Sequence, residues 1–166
     1  MSDLTYRAIA PDDFEAVHAI ASHWSVVRQL GSWPWPPAPD FTRTRCTPYK
    51  GEGFVWAVCQ DHQLIGTIGA TEGIIGYMFA PAVHGQGIGT RVARDAIAKA
   101  FEVCDWSVLV ASTWHDNPAS AAVLRKCGFQ HWQTHYERSV VRRIPTLLHQ
   151  HRLTRTRWDR LRTVAQ

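Results

Sequence analysis

The sequence predicts a mixed α/β fold in which one sheet is covered by helices. Three strand-length runs rich in β-branched and aromatic residues, Phe54 to Gln60, Gln63 to Ala70 and Ile74 to Phe79, are separated only by the turn pairs Asp61-His62 and Glu72-Gly73. Two segments of helical periodicity follow, Thr90 to Val103 and Asn117 to Lys126, with a buried strand, Trp106 to Ala111, between them. A strand meander followed by alternating helix and strand points to a mixed sheet.

The elements read in order. Leu4 to Ile9 alternates and predicts the first strand. Pro11-Asp12-Asp13 starts a helix, whose apolar face is Phe14, Val17, His18, Ile20 and Ala21. Gly31 to Pro37 carries three prolines and is excluded from helix and central strand, because proline lacks the amide donor and restricts its predecessor. A short helix is expected at Phe41 to Thr44. Pro81 ends the third strand of the meander. Val92, Ala93, Ala96, Ile97 and Ala100 form one buried stripe on the first long helix. Asn117 is suited to cap the second, Pro118 to its first turn and Gly128 to its end. Phe129 to Ser139 and Leu147 to Thr154 are expected to close the sheet as an antiparallel pair. Thr154 to Trp158 starts a short last helix.

Between the meander and the first long helix lies His84-Gly85-Gln86-Gly87-Ile88-Gly89-Thr90. Glycine admits positive φ and lacks the Cβ that would hold a ligand away. Successive N–H groups can then converge at the positive end of a helix dipole, a seat for a phosphate or pyrophosphate. Taken alone, the same pattern is also that of an ordinary flexible turn.

Composition bounds the function. The chain has 166 residues and 45% of them are hydrophobic, enough for one domain with a real core, taken as residues 1–166. No apolar run approaches the roughly 20 residues of a membrane helix, and Met1-Ser2-Asp3-Leu4 has no signal-like pattern. Cys46, Cys59, Cys104 and Cys127 are scattered, which predicts reduced thiols in a cytoplasmic protein and no metal site. From Arg142 onward there are seven arginines and one acid, Asp159, while the rest of the chain is mildly acidic. Without interleaved aromatics, that tail reads as a solvated face rather than a nucleic-acid surface.

Tyr77-Met78-Phe79-Ala80-Pro81-Ala82-Val83-His84-Gly85-Gln86-Gly87-Ile88-Gly89-Thr90 resembles the acyl-CoA pyrophosphate loop of the GCN5-related N-acetyltransferase family. Asn117 to Phe129, an Asn-initiated helix ending in Lys126-Cys127-Gly128-Phe129, resembles that family's second motif at the right spacing. The Trp33-Pro34-Trp35-Pro36 loop and the Leu153-Thr154-Arg155-x-Arg157-Trp158 segment are similar to the branch of ribosomal-protein alanine N-acetyltransferases. The resemblance implies a mostly antiparallel central sheet flanked by helices, with a parallel strand pair that splays near Phe79.

It also implies a site. Acetyl-CoA is the expected cosubstrate, with its pantetheine arm along Phe79, its pyrophosphate on His84 to Thr90 (Gln86 to Thr90 through their N–H groups) and its thioester carbonyl polarised by an N–H near Met78 or Phe79. Asn117 is expected to reach the pantetheine amide, or to be a helix cap alone. Where many relatives carry a tyrosine as proton donor to the departing thiolate, this chain has Leu124, and Ser120 one turn earlier takes that role in the resemblance. His84 stands where Gln or Arg is usual.

Glu72 is a candidate to face the amine, or a solvated turn residue. His115 and Asp116 are candidate proton relays, or polar loop. Trp33 and Trp35 are candidates to wall the acceptor, or loop packing against Trp56. Cys127 is a filler without nucleophilic role, since direct attack needs no acyl-enzyme. An α-amine, with pKa about 7.7–8.0, is already about a tenth neutral at pH 7, whereas a lysine at about 10.4 is not. An α-amine acceptor therefore asks little of a base.

The leading expectation is an acetyl-CoA-dependent N-acetyltransferase acting on a protein N-terminal α-amine or a small amine, as a monomer or homodimer. A non-catalytic acyl-CoA sensor and a nucleic-acid binder working through the arginine tail are the alternatives.

Overall fold

A computed structural model describes residues 3–164. The N-terminal reading rests partly on Met1 and Ser2, which lie outside the described residues, as do Ala165 and Gln166. The strands are β1 (Leu4–Ala8), β2 (Gly53–Gln60), β3 (Gln63–Thr71), β4 (Ile74–Phe79), β5 (Val108–Trp114), β6 (Gln130–Arg138) and β7 (Pro145–Thr154). The helices are α1 (Phe14–Ala21), α2 (Trp24–Val27), α3 (Pro39–Arg45), α4 (Ile88–Val103), α5 (Pro118–Lys126) and α6 (Arg155–Val164).

The strands form one sheet in the order β1-β2-β3-β4-β5-β7-β6, antiparallel throughout except for β4 and β5. The mixed α/β sheet with a single parallel pair is thus as expected. That parallel pair is joined at Ile74 and Val110, where the Val110 N–H donates to Gly73 O at 2.9 Å. Past this point the two strands diverge.

Alternation along each strand sends neighbours to opposite faces. Val58, Ile68, Phe79, Leu109 and Leu153 join the α4 stripe and Leu124 of α5 on one face. Ala57 and Met78 join Ile9, Val17, Val27 and Trp33 beneath α1 to α3 on the other. Asp13 anchors the turn into α1, its carboxylate accepting from the Ala10 N–H and from Arg7.

Of the differences from the expected boundaries, four have a local reason. α2 was not anticipated; it is a single turn whose apolar residues Val26 and Val27 are buried. α3 begins at Pro39, which supplies the fixed φ of a first helical position. α4 begins two residues early, because Gly87 in the left-handed conformation releases Ile88 into the helix. β5 extends to Trp114, because Ser112 and Thr113 pair with Gln150 and His149 of β7 although neither is apolar.

The basic tail is largely committed within the protein. Arg155 donates to the carbonyls of Phe101, Cys104 and Trp106, and Arg157 to that of Gly128. These bonds fasten α6 to the ends of α4 and α5. Among the described residues no helix is long and apolar enough to cross a membrane, and no group of three or more His, Cys, Asp or Glu could hold a metal ion.

Leu153 is fully buried between the sheet and these helices. Leu153→Ala should lower stability by about 2–5 kcal/mol in urea unfolding; a loss well below this range contradicts the core assignment.

Candidate active site

Where β4 and β5 part, a cleft of about 570 Å³ opens between the C-terminal half of β4, the loop into α4, the first turns of α5 and the end of α2. The hydrogen-bond phase of β4 fixes what the cleft meets. Ala80 N–H donates to Ile65 O at 2.8 Å. The alternation of an antiparallel pair then turns the amides of Met78 toward β3 and those of Tyr77 and Phe79 away from it, into the gap. Of the two amides expected to polarise a carbonyl, that of Phe79 therefore faces the cleft and that of Met78 does not; Tyr77 is the second group on that side.

The glycine loop closes one end. Gly85 and Gly87 have φ of 75° and 79°, and a Cβ built on either would meet nothing within 4 Å. The loop is an open concavity whose last residue is the N-cap of a 16-residue helix. The Gln86 side chain turns back onto Ala82 O at 2.8 Å and fastens the loop. His84 lies at the rim with Nε2 2.9 Å from Phe79 O. It acts as donor there, since a carbonyl can only accept. This histidine takes up the Phe79 carbonyl and leaves the Phe79 N–H, on the backbone along which the pantetheine arm was expected, facing the gap. A shallower hollow beside Gly87 carries Arg91, Arg94 and Lys126.

Asn117 lines the cleft and caps α5, its Oδ1 accepting from Ser120 N–H at 3.1 Å. Ser120 lies one turn on and shares a hydrogen bond of 2.7 Å with the Tyr77 hydroxyl. Burial pushes the Tyr77 phenol up to about 12, although the bond to Ser120 works against that rise. Tyr77 thus stays protonated and keeps its hydroxyl on Ser120. Sequence reading missed Tyr77 as a site residue. The available signal was its parity with Phe79, two positions on, which places both on the gap side of the strand.

Leu124, where a tyrosine is common in the family, is buried in the core. Cys127 is buried too; burial raises its thiol to about 11, which leaves little thiolate at neutral pH.

The remaining candidates lie elsewhere. Glu72 sits in the β3–β4 turn, at the far end of β4 from the splay. Its Oε1 accepts from the Tyr49 hydroxyl at 2.9 Å and the Glu52 N–H at 3.1 Å, and it does not line the cleft. Trp33 is buried edge-on to Phe41, and Trp35 packs edge-on to Trp24. Trp56, the expected partner of that loop, stacks on Tyr6 and Phe54 instead. His115 is exposed, its N–H bonded to Leu147 O.

Asp116 is held by Arg28 and, through two bonds of 2.8 and 2.9 Å, by Arg142. Arg142 also donates to Arg28 O and to the Gln29 side chain. The Arg142 hydrogen bonds above all, with Arg28 adding to them, hold the Asp116 carboxyl down to about 2. It is no proton acceptor at neutral pH. It is a latch joining the end of α2, the β5–α5 loop and the β6–β7 loop.

The model of the acetyltransferase (GNAT) domain matches residues 3–130, and the chain belongs to that family. No curated protein matches it.

Solved structures share the fold. A spermidine N-acetyltransferase from Vibrio cholerae, in complex with CoA and spermine, aligns with a TM-score of 0.79 at 15% identity, over 93% of this chain and 97% of that one. An aminoglycoside acetyltransferase in complex with coenzyme A gives 0.74 at 15% identity, over 96% and 99%. A ribosomal L7/L12 α-N-protein acetyltransferase in complex with coenzyme A gives 0.76 at 18% identity, over 93% and 95%.

Gly87→Glu should weaken coenzyme A binding by about 100-fold or more in calorimetric titration, since juxtaposed like charges cost several kcal/mol. Unchanged affinity in a folded variant contradicts the cradle assignment. Asp116→Asn should lower thermal stability by about 1–3 kcal/mol. Because the folded pKa is depressed, the latch contributes fully above the ordinary aspartate pKa of about 3.9 and is lost as pH falls toward 2. A wild-type unfolding profile whose difference from Asp116→Asn does not shrink over that window contradicts the latch.

Proposed function

We propose that the protein is an acetyl-CoA-dependent N-acetyltransferase that passes the acetyl group to a primary amine by direct attack in a ternary complex. The observation that carries this reading is the free edge of β4 at Tyr77 and Phe79, opening on a cleft with a glycine cradle at one end and two hydroxyls inside. The residues fit the cosubstrate. Gly85 to Thr90 would hold its pyrophosphate, the Phe79 N–H faces its arm, and Arg91, Arg94 and Lys126 offer charge for its remaining phosphate.

Bound acetyl-CoA supplies an activated acyl group on a thiol leaving group. The chain's own groups do the rest. The N–H groups of Tyr77 and Phe79 point into the gap, where they can stabilise oxyanion charge. Ser120 Oγ is the proton donor to the departing sulfur, Tyr77 holds Ser120 in place and replaces its proton, and the proton that the attacking amine releases to water restores Tyr77. Ser120 lies one turn before Leu124 and supplies a hydroxyl that leucine cannot.

The acceptor side disfavours a polycation. Among the described residues no Asp or Glu lines the cleft; Asp116, next to Asn117 in sequence, is neutralised by two arginines, and the exposed Arg143 lies beside Trp35. With no strong base in the cleft, an amine that is partly neutral at pH 7 suits the site. A protein N-terminal α-amine or a small amine of similar pKa is therefore the acceptor class.

The test is thiol release from acetyl-CoA with a panel of amines and N-terminal peptides. Acceptor-dependent release supports the reading. Binding without release above buffer would overturn it in favour of a non-catalytic acyl-CoA sensor. Ser120→Ala should lower kcat by about 100-fold with little change in coenzyme A affinity, and unchanged turnover removes Ser120 from the mechanism.

A further inference from the structure

We propose that the acceptor is the N-terminus of a polypeptide with acidic third and fourth residues, laid in extended form across the open face of β5, β7 and β6. The proposal rests on the transfer reaction above and names its substrate. The cleft passes through the sheet: Asn117 and Ser120 line it on the α4 and α5 side, Ser25 and Gln29 on the α2 side. The glycine cradle takes the cosubstrate from the first side, so the amine approaches from the second.

On that second side the helix layer stops at β4. Among the described residues its core takes Ala57 and Met78 from the sheet and nothing from β5, β6 or β7. Gly76 and Ser112 stand two residues beyond the Ile74–Val110 pair, on the same face by alternation, and both line the cleft. A Cβ on Gly76 would meet nothing within 4 Å, so the floor there is open. Ser112 lies opposite Gln150 of β7, and Gln150 opposite Gln133 of β6. Gln133 Nε2 donates to Gln150 Oε1 at 2.6 Å, which fixes both side chains on one face. The pair still offers the Gln150 amide nitrogen as donor and the Gln133 oxygen as acceptor, the two functions a peptide unit needs. Gly76, Ser112, Gln150 and Gln133 thus form a small and polar floor running from the cleft to the edge of the sheet.

The floor has two walls. One is the buried Trp114–Leu148 pair, with the Arg142 guanidinium 5.8 Å over the Trp114 ring. The other is Arg152, whose guanidinium lies 3.5 Å over the Trp132 ring. Arg152 pairs with no carboxylate among the described residues, and Glu137, the one acid of the three strands, is 3.4 Å from His135. The latch adds two arginines to one aspartate, so the face is cationic. Neighbouring strands lie about 4.8 Å apart and an extended chain advances about 3.4 Å per residue. A chain with its amino group in the gap beside β5 therefore sets its third and fourth residues over β7 and β6, at Arg152.

Transfer kinetics at low salt compare alaninamide with the tetrapeptide amides Ala-Ala-Glu-Glu and Ala-Ala-Lys-Lys. kcat/KM should be about 10-fold or more higher for the Glu peptide than for either of the others. Arg152→Glu should reverse the order of the two peptides with circular dichroism unchanged. Alaninamide turned over as well as the Glu peptide overturns the proposal, as does a Glu-to-Lys ratio that folded Arg152→Glu leaves unmoved. A second measurement needs neither turnover nor a variant. Adding the Glu peptide to labelled protein loaded with coenzyme A should shift the side-chain amide signals of Gln133 and Gln150 and the Trp132 indole N–H. Those signals unmoved at millimolar peptide overturn the proposal. Shifts at these groups without thiol release from acetyl-CoA support the peptide floor and overturn the transfer reaction instead.

Discussion

The parting of β4 from β5 is the constraint on which the site depends. In a closed sheet the amides of a central strand alternate between its two neighbours, and all are bonded. Here the pair is joined at Ile74 and Val110 and then separates. The Tyr77 and Phe79 amides are thereby presented to a ligand while β3 holds the strand rigid from the other side. The strands remain apart because each is fixed independently, β4 by β3 and β5 by β7. The same divergence leaves room for the glycine loop to deliver α4 with its amino end toward the cleft. In the proposed reaction, backbone geometry supplies both the oxyanion donors and the anion seat, and side chains are needed only for proton transfer and for closing the acceptor side.

Polar groups around the cleft divide into those held still and those left exposed to a ligand. Asp116, Arg28 and Arg142 join three loops in one charged cluster that cannot titrate near neutrality. Burial keeps the Tyr77 phenol neutral, and its hydroxyl is hydrogen-bonded to Ser120. The positioning frame is thus insensitive to physiological pH.

Much of the fold was legible because it rests on local signals. The two turns of the meander, the α4 stripe and the cap and terminator of α5 are each encoded within a few residues. The glycine loop was legible for the same reason, since its geometry is a property of the glycines themselves. What escaped was long-range. Arg28 and Arg142 lie 88 and 26 residues from Asp116 in sequence, so their meeting could not be read from either neighbourhood, and Asp116 resembled a reactive carboxylate when it is a structural one. Tyr77 and Ser120, 43 residues apart, were hidden likewise: a tyrosine in a strand is ordinary filler until the register shows which way it points. Glu72 and the tryptophan loop have the chemical types an acceptor site needs, but their placement follows from the turn and from the α1 to α3 layer, which local pattern does not encode.

The most direct test of the account is the map of backbone amide shifts on titrating coenzyme A into isotopically labelled protein. The account predicts the largest changes at Tyr77, Phe79, Gly85, Gly87, Ile88 and Gly89, falling away toward Glu72 and Gly73 at the joined end of the parallel pair. Shifts centred elsewhere on the sheet, with these amides unmoved at saturation, would contradict it.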